Sequence, residues 1–102
     1  MKVKILLACA GGMSTTMLVK KIKEAGAAQG YEVECEAYAV NVIKKVGQDA
    51  DCVLLGPQAG FMLKKTQAEL PEVPMAVIGM QDYGMMNGKG AFDLALSVMK
   101  KQ

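Results

Sequence analysis

Residues 2–16 read KVKILLACAGGMSTT, a short apolar run followed by a loop of small and hydroxyl-bearing side chains. The apolar run favours a β-strand that ends at Cys9, and the residues after the loop follow a helical spacing as far as Gly30. The apolar side chains expected on the buried face of this helix are Met17, Leu18, Ile22 and Ala25. Strand, glycine loop and helix in this order indicate the first unit of a parallel α/β sheet.

The rest of the chain repeats the alternation of strand and helix. Glutamates alternate with apolar side chains over 32–38, which is typical of an edge strand with one solvated face. Further strands are predicted over 51–55 and 74–78. The predicted helices are 41–47 (with Val42, Ile43 and Val46 facing inward), 58–70 and 90–101. We therefore expect an α/β fold: a single-domain three-layer sandwich over 1–102, with helices on both faces of a parallel sheet in the order 2-1-3-4.

The composition excludes several classes of chemistry. The chain has 102 residues, a net charge of +2 and no histidine, and all twelve of its cations are lysines. Without histidine, a Ser-His-Asp triad and a histidine metal site are both excluded, and we predict no metal and no cofactor. Without arginine, no side chain can clamp a phosphate in the planar bidentate manner.

Charge and hydropathy also limit the partners. The lysines occur in separate pairs offset by ten acids, and only five residues are aromatic, so nucleic acid is not an expected partner. No apolar run approaches the ~20 residues that a membrane span needs, and no signal peptide is recognisable. We expect a cytoplasmic protein that is a monomer on its own and does not insert into a membrane.

Three cysteines, Cys9, Cys35 and Cys52, are widely spaced and form no C-x-x-C pair, so reduced thiols are expected. Cys35 and Cys52 fall on apolar strand positions and are interpreted as structural. Cys9 instead ends strand 1, where the strand order reverses and ligands of open parallel sheets bind. The alternative for Cys9 is a small buried residue before a structural glycine turn.

The loop after Cys9 is a candidate phosphate-binding site. Its glycines and the first turn of the following helix would direct backbone N–H groups into one concavity, where they favour both a thiolate and a phosphate. We predict Cys9 as a nucleophile that carries a phosphoryl group. The predicted phosphate-binding residues are Ala10, Gly11, Gly12, Met13, Ser14, Thr15 and Thr16.

Neighbouring strand ends supply candidate residues for the rim of this site. Gln58 follows strand 3, and Asp82 and Tyr83 follow strand 4, although helix capping and ordinary loop polarity explain the same residues. Four methionines on predicted loops at this end could form an adaptable docking surface, whereas core filling explains the remaining methionines equally well. They are Met13, Met80, Met85 and Met86.

The motifs CAGGMSTT, LLGPQ and YGMMNG, in this order, resemble those of enzyme IIB of the bacterial sugar phosphotransferase system, in its lactose/cellobiose/chitobiose class. The resemblance implies that Cys9 accepts phosphate from a phosphohistidine of a IIA protein. It also implies that Cys9 passes the phosphate to a β-glucoside-type disaccharide (cellobiose, chitobiose or lactose) bound by the membrane permease IIC. The protein would then meet the inner face of the membrane transiently.

Two alternatives remain at this point. A cysteine phosphatase or arsenate-reductase-like enzyme is disfavoured because the low-molecular-weight tyrosine phosphatases place an arginine where this loop has Thr15. A non-catalytic interaction module on the same fold predicts that Cys9→Ser leaves function intact.

Overall fold

The computed structural model describes residues 2–9 and 16–99. Its four strands are β1 (Lys2–Cys9), β2 (Glu32–Ala39), β3 (Cys52–Leu55) and β4 (Met75–Val77). They form one parallel sheet in the order β2-β1-β3-β4. The predicted sheet and its strand order are confirmed.

Helices follow every strand. They are α1 (Thr16–Ala28), α2 (Ile43–Val46), α3 (Leu63–Glu69), α4 (Met80–Gly84) and α5 (Gly88–Met99). Short 3-10 segments, Val40–Val42 and Pro57–Met62, precede α2 and α3.

The central strand β1 sends alternate side chains into two cores, as its period of two requires. Val3, Ile5 and Leu7 pack with α1 and α5 on one face of the sheet. Leu6 and Ala8 pack with α2 and α3 on the other face. The chain is thus a three-layer sandwich, as expected.

Glycine allows α5 to lie close against α1. A Cβ at Gly88 would collide with the backbone carbonyl of Lys21. Asn87 begins α5 by accepting the Gly90 N–H at its Oδ1, 3.0 Å away. This cap explains why the helix starts at Gly88 rather than at the predicted Gly90.

The edge strand β2 is half solvated, as its alternation predicts. Glu32, Glu34 and Glu36 are exposed, whereas Cys35 is buried. Glu34 forms a 2.9 Å ion pair with Lys2 of the neighbouring strand.

Two side chains expected in the core are exposed, so those predictions were wrong. Met17 is 52% exposed. Leu18 and Ile22, four residues apart, form the buried stripe of α1. Met17 lies about 100° around the helix from Leu18 and therefore points away from that stripe. Val42 is 36% exposed because it ends a 3-10 turn before α2. Ile43 is buried and Val46 packs half-buried against the same core, as predicted.

Two helix predictions also differ from the structure. Residues 58–70 were expected as one α-helix, but 57–62 form a 3-10 segment in which the Ala59 N–H donates to the Gly56 carbonyl at 2.9 Å. Gly60 brings this segment against Val77, since a Cβ there would lie only 3.3 Å from that side chain. Residues 80–84 were expected as a loop but form the short α4. In it, the Tyr83 N–H donates a hydrogen bond to the Gly79 carbonyl at 2.9 Å.

Candidate functional site

The four strands end together at one end of the sheet, which we call the carboxyl end. Cys9 ends the central strand and pairs in register with Ala39, the last residue of β2. On its other side, β1 pairs with β3. The chain passes from β1 to β2 on one side and then crosses from β2 to β3 on the other side of β1. The strand order therefore reverses beside β1, at the topological switch point where α/β proteins bind ligands.

Hydrogen bonds continue the sheet beyond β3 and β4 at this end. The Gly56 N–H donates to the Ala8 carbonyl at 2.9 Å, and the Ile78 N–H donates to the Leu55 carbonyl at 2.8 Å. Gly56 thus lies beside the last residues of β1, one strand away from Cys9.

Two of the three predicted rim residues meet at Gly56. A Cβ at Gly56 would lie 3.3 Å from Cε1 of Tyr83 and 3.6 Å from Oε1 of Gln58. The phenol ring from α4 and the amide from the 3-10 segment therefore flank the strand end next to Cys9. Reasoning from the sequence did not single out Gly56, although the motif LLGPQ carries it.

Asp82, the third predicted rim residue, lies at the junction of α4 and α5. Its Oδ1 accepts a hydrogen bond from the Asn87 side chain at 3.1 Å, and its carbonyl accepts the Asn87 N–H at 2.8 Å. These bonds connect α4 to the residue that caps α5.

The predicted phosphate loop lies outside the described residues. This applies to 10–15 and to the side chains of Cys9 and Thr16. The roles assigned to Cys9 and to this loop therefore stay predictions.

The other two thiols are poor nucleophiles. Cys35 and Cys52 are free and buried under α1 and α5. Burial raises the pKa of each thiol to about 12. Because the thiolate is the reactive form, neither thiol is suited to nucleophilic chemistry near neutral pH.

Five large apolar side chains of the described residues are exposed, and each lies in a segment that follows the carboxyl end of a strand. We call this set the apolar rim: Met17, Val42, Phe61, Met80 and Met85. Met86, which was also expected on a docking surface, is half-buried and packs against the core instead. Met13 falls outside the described residues.

The described residues form neither a metal-binding cluster nor a membrane-spanning helix. Within 2–9 and 16–99, no three His, Cys, Asp or Glu side chains come together as a metal site would require. Among the described helices, none combines the length and the hydropathy of a transmembrane span.

Sequence comparison matches residues 4–94 to the family described as the lactose/cellobiose-specific IIB subunit of the PTS system. The oligo-β-mannoside-specific EIIB component of Bacillus subtilis is 44% identical over 97% of this chain and 98% of its own length. The galactose-specific EIIB component of Lactococcus lactis subsp. cremoris is 43% identical over 93% of this chain and 94% of its own. The cellobiose-specific EIIB component of Lactococcus lactis subsp. lactis has the same identity and coverage.

Solved structures show the same architecture. The cellobiose-specific IIB component of Borrelia burgdorferi, 34% identical, has a TM-score of 0.79 over 99% of this chain and 94% of that chain. The lactose-specific IIB domain of Streptococcus pneumoniae has a TM-score of 0.82 over 96% of this chain and 98% of that chain. At 17% identity, the latter likeness concerns the fold alone.

Proposed function

The chain belongs to the lactose/cellobiose-specific IIB family of the sugar phosphotransferase system, and on that basis we propose that Cys9 is its phosphoryl carrier. The observation that carries this proposal is the place of Cys9 at the end of the central strand, at the switch point of the sheet. Cys35 and Cys52 lie inside the sheet, and their raised pKa values make them poor competitors for this role.

The proposed chemistry consists of two phosphoryl transfers. In the first, the Cys9 thiolate attacks the phosphorus of a phosphohistidine on a IIA protein; the S–P bond forms, the N–P bond breaks, and the histidine nitrogen takes up a proton. In the second, a sugar hydroxyl bound by the permease IIC attacks the same phosphorus. The O–P bond then forms, the S–P bond breaks, the hydroxyl proton passes to a base outside this chain, and the thiolate is regenerated.

The phosphate loop, residues 10–16, is proposed to hold the phosphoryl group through backbone N–H groups and hydroxyls. No arginine or histidine is available from this chain. Neutral donors can hold the phosphate, but they supply no side-chain cation to promote attack by water. A carrier has to retain its phosphoryl group until the sugar arrives, and Thr15 in place of an arginine suits that requirement.

The rim residues Gln58 and Tyr83 complete the proposed site. Both lie over Gly56, beside the strand that Cys9 ends. From there they are placed to limit the access of water to the phosphocysteine. Asp82, the third predicted rim residue, accepts a hydrogen bond from Asn87 where α4 meets α5.

We further propose a β-linked glycoside as the sugar. Oligo-β-mannosides, cellobiose and lactose, for which two relatives and the family are named, are β-linked, whereas galactose, for which the third relative is named, is a monosaccharide. Growth of a deletion strain on these sugars, with and without the gene restored, would select among them.

The test of Cys9 is reconstitution of the first transfer. Phosphoenolpyruvate, the general phosphotransfer proteins and a IIA protein of this class are incubated with the chain, and intact mass is measured. We expect one phosphoryl group on the wild type, on Cys35→Ser and on Cys52→Ser, and none on Cys9→Ser. An adduct that persists in a folded Cys9→Ser protein would refute the proposal.

The same material tests the phosphatase alternative. The chain alone should release no product from an aryl phosphate, because no arginine supports hydrolysis. Steady turnover without any partner protein would favour the phosphatase.

A further inference from the structure

The short helix α4 places Tyr83 over Gly56, beside the strand that Cys9 ends, but α4 is too short to be stable by itself. Its five residues form little more than one helical turn, and an isolated turn is not stable in water. The position of the Tyr83 ring therefore depends on the contacts that fix α4 to the rest of the molecule.

Asn87 fixes α4 to α5 through its side chain and its backbone. The side-chain amide donates from Nδ2 to Oδ1 of Asp82 at 3.1 Å, and the backbone N–H donates to the Asp82 carbonyl at 2.8 Å. Oδ1 of Asn87 accepts the Gly90 N–H at 3.0 Å. One side chain thus joins α4 to the first turn of α5, and the buried Phe92 anchors α5 in the core.

The residues around this link select one conformation of the junction. Gly90 lies against both side chains, since a Cβ there would be 2.8 Å from Nδ2 of Asn87 and 3.0 Å from Cγ of Asp82. Met86, between the two helices, has a φ of 53°, and no other non-glycine residue of the described chain has a positive φ. Such a backbone costs free energy at a methionine, so its neighbours must hold it. Its side chain packs against the core, and its N–H donates to the Tyr83 carbonyl at 3.2 Å.

We propose that Asn87 is a positioning residue: through Asp82 it holds Tyr83 over the phosphocysteine and so lengthens the life of the phosphoryl group. This inference rests on the proposed function, in which Tyr83 limits the access of water to Cys9. When water attacks the phosphorus, an O–P bond forms and the S–P bond breaks. Inorganic phosphate leaves, and a proton from the water passes to the thiolate. Asn87 acts on this reaction through α4 and does not touch the phosphate.

Capping of α5 is the other role of Asn87, and it uses a different atom. The cap needs an acceptor, which Oδ1 supplies and which an aspartate also provides. The link to Asp82 needs a donor, which an ionised aspartate lacks. Asn87→Asp therefore keeps the cap and removes the link.

The test measures the lifetime of the phosphocysteine by intact mass, after phosphorylation with phosphoenolpyruvate, the general phosphotransfer proteins and a IIA protein, and removal of these proteins. Asn87→Asp should lose the phosphoryl group about three- to ten-fold faster than the wild type. Combining it with Asp82→Asn exchanges donor and acceptor at unchanged net charge, and should restore the wild-type lifetime. Lys89→Ala, in the first turn of α5, is the matched control, because its ammonium contacts Asp93 instead.

Two further variants separate positioning from a general loss of stability. Gly90→Ala favours the α5 helix, yet its Cβ should displace the Asn87 amide and shorten the lifetime. Tyr83→Ala should shorten the lifetime by itself. In that background Asn87→Asp should have no further effect, because the two changes remove the same barrier to water.

For variants whose thermal melting matches that of the wild type, an unchanged lifetime in both Asn87→Asp and Gly90→Ala would overturn the role of Asn87. So would an exchange variant that is no longer-lived than Asn87→Asp, or an equal further shortening in the Tyr83→Ala background. In each of these cases Cys9 is still phosphorylated, so the proposed function stands. A wild type that takes up no phosphoryl group on Cys9 would remove both.

Discussion

The amino and carboxyl ends of the sheet carry different kinds of side chain. At the amino end, Lys4 connects β1 to the segment before β3: its N–H donates to Asp51 at 2.8 Å, and its ammonium contacts Asp49 at 3.0 Å. Gln67 holds the turn before β4 by donating to the Leu70 and Val73 carbonyls at 2.9 and 2.8 Å. At the carboxyl end, the apolar rim is exposed instead.

Several acidic side chains lie near the amino end of the sheet. The acids near the amino end are exposed and include Glu32, Asp49, Asp51, Glu69 and Glu72. A cavity of about 270 Å³ at that end is lined by Asp51 and Glu72 together with Ala50, Pro74 and Met99. Lys2 and Lys4 lie among these acids and form ion pairs with Glu34 and Asp49. The amino end stabilises the sheet, whereas the carboxyl end has the features of a recognition surface.

Thiol reactivity gives the largest expected contrast between the carboxyl end and the interior of the sheet. A pKa of about 12 leaves Cys35 and Cys52 with very little thiolate at pH 8. Compared with an ordinary thiol of pKa about 8.5, their reaction with iodoacetamide should be slower by a factor on the order of a hundred or more. Cys9, which we place at an accessible site, should react alone, as followed by mass spectrometry of digested samples.

Unfolding provides the control for this contrast. In guanidinium chloride, all three thiols should react at similar rates because burial no longer raises any pKa. Fast labelling of Cys35 or Cys52 in the native protein would contradict the assignment of both as interior residues.

Alanine substitutions of two glycines at the carboxyl end can be compared directly, and we expect effects of intermediate size. Gly56 and Gly79 precede the segments after β3 and β4 with similar backbone angles, φ −66° and −61°. Only Gly56 lies under the Tyr83 ring, since a Cβ at Gly79 would meet nothing within 4 Å. Gly56→Ala should displace that ring by a few tenths of an ångström and slow phosphoryl transfer about three- to ten-fold.

The companion variant Gly79→Ala should transfer phosphate at the wild-type rate and melt slightly higher, because alanine restricts the unfolded chain. We expect Gly56→Ala to be less stable than Gly79→Ala by about 1 kcal/mol, measured by thermal melting. Equal transfer rates for the two variants would remove Tyr83 from the proposed site.

The smallest effect concerns an ion pair at the amino end. The hydrogen bond from Lys4 holds the pKa of Asp49 below its ordinary value of 3.8. Because the folded-state pKa is lowered, the stabilisation is fully present above the ordinary pKa and is lost as the pH falls through the lowered one. In Lys4→Met, the Asp49 carboxyl should titrate nearer to 3.8, as followed by NMR.

Asp93 is the control for that titration. Its pKa is lowered mainly by the hydrogen bond from Lys89 and further by Gln29, neither of which the variant changes. If the pKa of Asp49 is the same in the wild type and in Lys4→Met, the contact between Lys4 and Asp49 does not persist in solution.

The parts of the fold that follow from periodicity could be predicted from the sequence. The alternating glutamates placed β2 at the edge of the sheet, and the apolar run before Cys9 placed β1 at its centre. The short α4 could not be predicted, because a single turn between Gly79 and Gly84 has no periodic pattern; in the structure, Tyr83 of this turn packs over Gly56. Close tertiary contact decides such segments, and one sequence does not show it.

Some features of the candidate site could be predicted from the sequence, and others could not. The positions of Cys9, Gln58 and Tyr83 near the ends of neighbouring strands could be predicted, since parallel strands bring their ends together, whereas their roles stay predictions. The link between Asp82 and Asn87 could not be predicted because it depends on how α4 meets α5. The exposure of Met17 and Val42 likewise depends on the exact phase of a first helical turn, which apolar spacing alone leaves open.

The two strands that border the sheet affect how the protein behaves in a concentrated solution. An unpaired strand can template the addition of another chain, which is a route to aggregation. Here β2 presents a row of glutamates, and β4 is only three residues long. The glutamates of β2 and the short length of β4 make both edge strands poor templates, so self-association through backbone pairing is disfavoured.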